Sequence, residues 1–171
     1  MKPSTVLSAM LLAAAGLLLS ACGSVPRPPQ PSAAMPDAEV PDALASLSEA
    51  QAQDVTVYAL GLVGTPYRYG GNTPDSGFDC SGLIGHVYHR EGGLAAPRTV
   101  SSLRDWGHKV SLTDRRSGDL VIFFQGGDAT HAGIYVGQGR FVHAPSTGGR
   151  VRLDSLSAPY WSTQQVAFRR P

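Results

Sequence analysis

Gly70-Gly71-Asn72-Thr73-Pro74-Asp75-Ser76-Gly77-Phe78-Asp79-Cys80-Ser81-Gly82-Leu83-Ile84 is the stretch that decides how the chain is read. A loop rich in Gly, Pro, Asn and Asp runs into one cysteine, and a run with helical apolar spacing starts directly after it. At about 100° per residue, Leu83, Ile84, Val87 and Tyr88 share the side of Cys80, whereas His86, His89 and Arg90 fall opposite, on a solvated face. Gly92-Gly93 ends the run. The spacing predicts a helix that opens at Cys80. Unpaired N–H groups at such a terminus carry partial positive charge, which predicts a lowered thiol pKa and a nucleophilic cysteine. Many free cysteines are only small buried hydrophobes. The small pair Ser81-Gly82 immediately downstream points instead to a place where a substrate comes close.

Outward from this stretch, Ser48 to Val63 carries Val55, Tyr58, Ala59 and Leu62 at helical spacing, with Gly64-Thr65-Pro66 as its stop. After the Cys80 helix, Thr99 or Ser101 caps a short helix carrying Leu103 and Trp106. Segments of β character follow at Asp119 to Phe124, His131 to Val136, Arg140 to Ala144 and Gln164 to Arg169. Helices first and strands second predict an α+β fold with a C-terminal antiparallel sheet. Residues 48–171 suffice for one such domain.

Residues 1–21 read as a secretory signal segment: Lys2, an apolar run from Val6 to Leu19, then small residues. The end of that run, Leu19-Ser20-Ala21-Cys22, resembles the lipobox of bacterial lipoproteins. The resemblance implies cleavage before Cys22, lipidation of Cys22 and a stable membrane anchor. Gly23-Ser24 then favours the outer membrane, with the domain facing the periplasm. Residues 22–47 hold Pro26, Pro28, Pro29, Pro31, Pro36 and Pro41 and read as a tether. A coil of about 25 residues spans roughly 28 Å r.m.s. and up to about 80 Å in polyproline form.

The chain has two cysteines. With Cys22 carrying lipid, Cys80 has no intramolecular partner, and a lone thiol in an exported compartment is a candidate reactive site. Neither a disulfide framework nor a Cys-rich zinc site is expected. Charged residues are 16% of the chain and the net charge is +1, which argues against a nucleic-acid partner, since that needs a basic face.

Of the five histidines, His86 and His89 lack a third metal ligand, and His108 falls in a loop after Trp106. His131 and His143 lie in strand patterns beside small residues. With Cys80 they supply a thiol, a base and a group to orient that base. Their contact sets a geometric condition. If Gln138-Gly139 is a two-residue hairpin loop, Gly137 pairs with Arg140 and Ile134 with His143, so the two imidazoles fall on opposite faces of the sheet. They can meet only through a bulge or sharp bend near Gly133, Gly137 or Gly139.

Pro66-Tyr67-Arg68-Tyr69-Gly70-Gly71, Phe78-Asp79-Cys80-Ser81-Gly82, Pro97-Arg98-Thr99, Gly118-Asp119-Leu120, His131-Ala132-Gly133-Ile134-Tyr135-Val136-Gly137 and Phe141-Val142-His143-Ala144 together resemble the NlpC family of papain-like cell-wall cysteine peptidases. The resemblance covers the domain in order. It implies a papain-like α+β fold, needing no metal or cofactor, that cleaves peptidoglycan stem peptides. The bond is either D-glutamate to diaminopimelate or the D-alanyl to diaminopimelate cross-link. Carried over residue by residue, Cys80 is the nucleophile, His131 the general base and His143 the residue that orients it. Tyr69 holds the oxyanion with the Cys80 backbone N–H, Asp79 and Ser81 bind the amino end of the stem peptide, and Arg98 is structural. The alternatives are a non-catalytic peptidoglycan-binding lipoprotein, and an acyltransferase or amidase on the same scaffold.

Overall fold

Ser48 starts the first helix by a reciprocal cap: its hydroxyl accepts from the backbone of Gln51, and the Gln51 side chain accepts from the backbone of Ser48. The computed structural model describes residues 47–146 and 149–171. Expectations for the signal segment, for Cys22 and for the tether lie outside the described residues, save that Leu47, expected at the tether's end, is buried in the core. Its N–H donates to the carbonyl of Pro171 at 3.1 Å.

Helix α1 runs over Glu49–Gly61 and buries Ala52, Val55 and Ala59. It stops slightly before Val63, because Gly64 takes a positive φ of 100° and turns its N–H to the carbonyl of Val151. A two-stranded ribbon of β1 (Asn72–Thr73) and β2 (Gly77–Phe78) leads into α2, Cys80–Gly92. Asp79 is the N-cap of α2, and Gly93 closes its other end in the left-handed conformation. Leu83, Ile84, Val87 and Tyr88 are fully buried, as their spacing predicts. Burying each such side chain stabilises the fold by roughly 1.5–3 kcal/mol. Helix α3 (Val100–Leu103) is capped by Thr99.

The sheet has six antiparallel strands: β3 (His108–Val110), β4 (Leu120–Gln125), β5 (Asp128–Gly137), β6 (Arg140–His143), β7 (Arg152–Ser155) and β8 (Gln165–Arg170), in the order β3-β8-β4-β5-β6-β7. The α+β architecture with N-terminal helices packed on a C-terminal antiparallel sheet is the one read from the sequence. Strands β3 and β7 were not expected. Both are short edge strands, and His108 opens β3 instead of lying in a loop. One face of the sheet, with Leu120, Ile122, Ala132, Ile134 and Val142, packs with Leu83, Ile84, Val87 and Tyr88 of α2. The other face gathers Val121, Phe123, Tyr135, Phe141 and Phe168 around Trp161. Buried Asp119 accepts from Nε and Nη2 of Arg170 at 2.7 and 2.9 Å, which ties β8 into the domain.

The hairpin between β5 and β6 meets the geometric condition set by the sequence. Gln138 and Gly139 have φ of 52° and 69°, the signature of a tight hairpin turn, and Gly137 pairs with Arg140. The register then shifts between Tyr135 and Gly137, so that Ile134 faces Val142 and not His143. The extra residue, Val136, forms a bulge that reverses the parity of everything before it. His131, Gly133 and His143 thereby share one face of the sheet.

Candidate active site

Cys80 is partly exposed at the first position of α2 and lines a hollow of about 440 Å³ with Tyr67, Tyr69, Asp79, Ser81 and Arg98. The Asp79 carboxylate fixes this helix end. It accepts from the backbone N–H of Gly82 (2.7 Å) and of Gly70 (2.8 Å), and from Nη1 and Nη2 of Arg98 (2.6 and 3.0 Å). Ser81 donates its hydroxyl to the carbonyl of Arg98 at 2.7 Å and accepts from Nη1 of Arg98 at 2.6 Å. Arg98 is thus structural. Asp79 and Ser81, expected to bind substrate, line the hollow, but their polar atoms are engaged with the protein and serve to hold the nucleophile's loop. Gly82 has a similar explanation. A Cβ there would stand 2.0 Å from the carbonyl oxygen of Gly71, so its smallness admits a neighbouring backbone and not a ligand.

Tyr69 is 89% exposed. Tyr67, two residues earlier, is half-buried and packs on the core, whereas Tyr69 lies in the turn that follows. Burial raises the Tyr67 phenol pKa, and the nearby charges of Cys80 and Asp79 add to the rise, which puts its hydroxyl within electrostatic reach of the thiol. Sequence reasoning chose Tyr69 from the same motif, and burial separates the two.

His131 and His143 are joined: Nε2 of His131 lies 2.8 Å from Nδ1 of His143, with the rings at 86°. His143 has no exposed surface. Its Nε2 lies 3.0 Å from Oδ2 of Asp154, an oxygen that also accepts from Nε1 of Trp161 (2.9 Å) and Nε of Arg152 (3.0 Å). Trp161 stacks on His131 at 5.5 Å and meets His143 edge-on at 5.1 Å. His131 lines a second hollow of about 700 Å³ with Arg152, Asp154, Tyr160 and Trp161. Asp154 was not singled out from the sequence. The alternation Val151-Arg152-Leu153-Asp154 is the strand signal that would have found it.

Burial drives both imidazoles toward the neutral form. His131 is lowered to about 3, with His143 and Arg152 adding to burial and Asp154 opposing them. His143 is lowered to about 4 by burial, against the hydrogen bond and charge of Asp154. Asp154 resists the upward push of burial and stays below the usual carboxylate value, held by hydrogen bonds from Trp161 and His143. The thiol differs from its sequence expectation. Burial raises the Cys80 pKa, the Asp79 carboxylate raises it further, and the N–H groups of Ser81 and Cys80 oppose them without prevailing. Among the described residues no hydrogen bond joins the Cys80 thiol to either histidine. The resting site is a neutral thiol and neutral imidazoles.

The remaining histidines separate. His89 is exposed, whereas His86, expected on a solvated face, is half-buried: its Nε2 lies 2.9 Å from the Tyr58 hydroxyl, and its ring packs 5.2 Å from Phe78. It ties α1 to α2.

The chain is similar to known proteins. The model of the NlpC/P60 family matches residues 64–170. The murein DD-endopeptidase MepH of Escherichia coli (strain K12) is 40% identical over 136 residues, covering 74% of this chain and 50% of that protein. The E. coli K12 murein DD-endopeptidase MepS/murein LD-carboxypeptidase is 39% identical over 107 residues, covering 63% and 56%. A crystal structure from Staphylococcus aureus, titled as similar to lipoprotein and of the NLP/P60 family, superposes with a TM-score of 0.63 at 33% identity, over 72% of this chain and 42% of that one. The chain spans about half the length of the curated relatives it matches.

Proposed function

The chain belongs to the NlpC/P60 family, and from that premise we propose that it is a cysteine peptidase that hydrolyses stem-peptide amide bonds of peptidoglycan. The observation that carries this reading is the His131–His143 pair, joined at 2.8 Å with His143 buried beneath His131, in a domain whose single described cysteine opens a helix. The D-alanyl to diaminopimelate cross-link is the favoured bond, because both E. coli relatives are named DD-endopeptidases. The D-glutamate to diaminopimelate bond is the other candidate.

A stem peptide laid across both hollows presents its carbonyl carbon to the Cys80 sulfur. The thiol proton passes to His131 as the sulfur adds, so the ion pair forms during attack and does not pre-exist. The Cys80 backbone N–H and the Tyr67 hydroxyl hold the oxyanion. His131 returns the proton to the leaving amine, and water then releases the peptide from the thioester. We also propose that Cys22 is lipidated and anchors the domain to the outer membrane on its periplasmic side. This rests on Leu19-Ser20-Ala21-Cys22 and the proline-rich residues that follow.

The test incubates the full chain, as wild type and as Cys80→Ala, with purified sacculi and identifies soluble fragments by mass. Cleavage by the wild type alone is expected, and the fragment masses name the bond. Equal cleavage by Cys80→Ala overturns every thiol mechanism, whereas sacculus binding without fragments from either protein supports an anchoring role.

A further inference from the structure

We propose that Asp154 is a positioning residue of this site, fixing the protons of both imidazoles so that Nδ1 of His131 is the nitrogen left bare to take the Cys80 proton. The role rests on the peptidase reading for the reaction it serves, but the proton placement is a property of the resting protein.

Three donors converge on Oδ2 of Asp154: Nε1 of Trp161, Nε of Arg152 and Nε2 of His143. The first two can only donate, so Asp154 is the ionised acceptor they share. An ionised carboxylate has no proton to give. Nε2 of His143 must therefore carry one, and Nδ1 of that neutral ring is a lone pair. This lone pair lies 2.8 Å from Nε2 of His131, which must then be the protonated nitrogen of its ring. Of the two unprotonated nitrogens, Nδ1 of His143 is occupied by the Nε2–H of His131, and Nδ1 of His131 is the one left without a donor in this chain of contacts. The sequence pattern of Cys80, His131 and His143 leaves this undetermined, because a histidine in the third place can donate or accept through either nitrogen.

The same carboxylate acts when the thiol proton arrives. Proton transfer to Nδ1 makes His131 cationic in a site that disfavours charge. Besides each other, the two rings feel the charges of Arg152 and Asp154, and of these two Asp154 is the one that favours an imidazolium. The bond from Nε2–H of His131 through His143 to the carboxylate therefore strengthens as the sulfur adds to the carbonyl carbon. It relaxes when the proton leaves on the departing amine.

The full chain, labelled with 15N in its histidines, is examined by long-range 1H–15N spectra at neutral pH, and wild type, Asp154→Asn and Asp154→Glu are assayed on sacculi across pH. Both imidazoles of the wild type are expected as the Nε2–H tautomer. Asp154→Asn is expected to lower kcat on the order of 10- to 100-fold, as for other carboxylates that orient functional histidines, with KM little changed. It is also expected to show a mixed tautomer at His143 and an acid limb displaced to lower pH. Asp154→Glu is expected to recover part of the rate. An Nδ1–H tautomer at His131 in the wild type overturns the proposal, whatever the variants do. So does an Asp154→Asn protein with unaltered kcat and pH profile. If the wild type cuts no sacculi, the peptidase reading fails while the wild-type spectrum still decides the proton placement.

Discussion

A side chain on Gly133 would stand 3.2 Å from Cβ of His143 and 2.9 Å from the carbonyl oxygen of Val142, so the strand that carries His131 leaves empty the place that the second imidazole needs. Gly133→Ala forces His143 or strand β6 outward. The expected result is a stability loss of about 1–3 kcal/mol by denaturant titration. Cleavage should fall further than that loss explains, because the 2.8 Å contact between the rings is broken.

Tyr67→Phe and Tyr69→Phe separate two tyrosines from one motif. Loss of the Tyr67 hydroxyl removes an oxyanion donor, and kcat on sacculi is expected to fall by about 10²-fold. Tyr69, which is largely exposed, is expected to tolerate the change within a factor of two or so. The reverse ranking would return the oxyanion role to Tyr69.

Charge around the thiol sets the signs for a reactivity test. The Asp79 carboxylate raises the Cys80 pKa and Arg98 lowers it. Arg98→Met leaves Asp79 uncompensated, so the pH midpoint of iodoacetamide alkylation should move up from its wild-type position. The wild-type midpoint itself is expected above 9.0, the ordinary value from which the thiol is raised. A wild-type midpoint near 6 would reinstate the ion pair that the helix terminus suggested.

Acid stability follows from the imidazoles. Both native pKa values, about 3 and about 4, lie below the ordinary 6.5. The unfolded chain therefore takes up protons that the native protein refuses. The stability from neutral His131 and His143 is complete above 6.5 and is lost as pH falls toward 4. With two protons involved, the slope reaches about 2.7 kcal/mol per pH unit. His143→Gln is expected to reduce that slope in denaturant titrations at pH 7, 6 and 5.

Much of this site was legible in the sequence because its chemistry sits in strong local patterns. The loop before Cys80, the apolar stripe after it and the glycines of the hairpin were sufficient to place the helix and the bulge. Asp154 escaped because β7 is a four-residue edge strand with a mostly polar face, and its pairing with β6 is invisible locally. The sign of the Cys80 shift escaped for another reason: a helix terminus is a local feature, while the burial that outweighs it comes from the packed chain. His86 escaped because its partner, Tyr58, lies on another helix.

Strand β8 lies between β3 and β4, although it follows every other strand of the sheet in sequence. A polypeptide growing from its N-terminus leaves one edge of β4 unpaired, and β3 without any neighbour, until Gln165–Arg170 has emerged. Arg170 and Pro171 then close the ring of contacts, to Asp119 and to Leu47. Strands β5, β6 and β7, which carry His131, His143 and Asp154, pair with one another and not with β8, so the segment that completes the sheet is separate from the one that mounts the paired imidazoles.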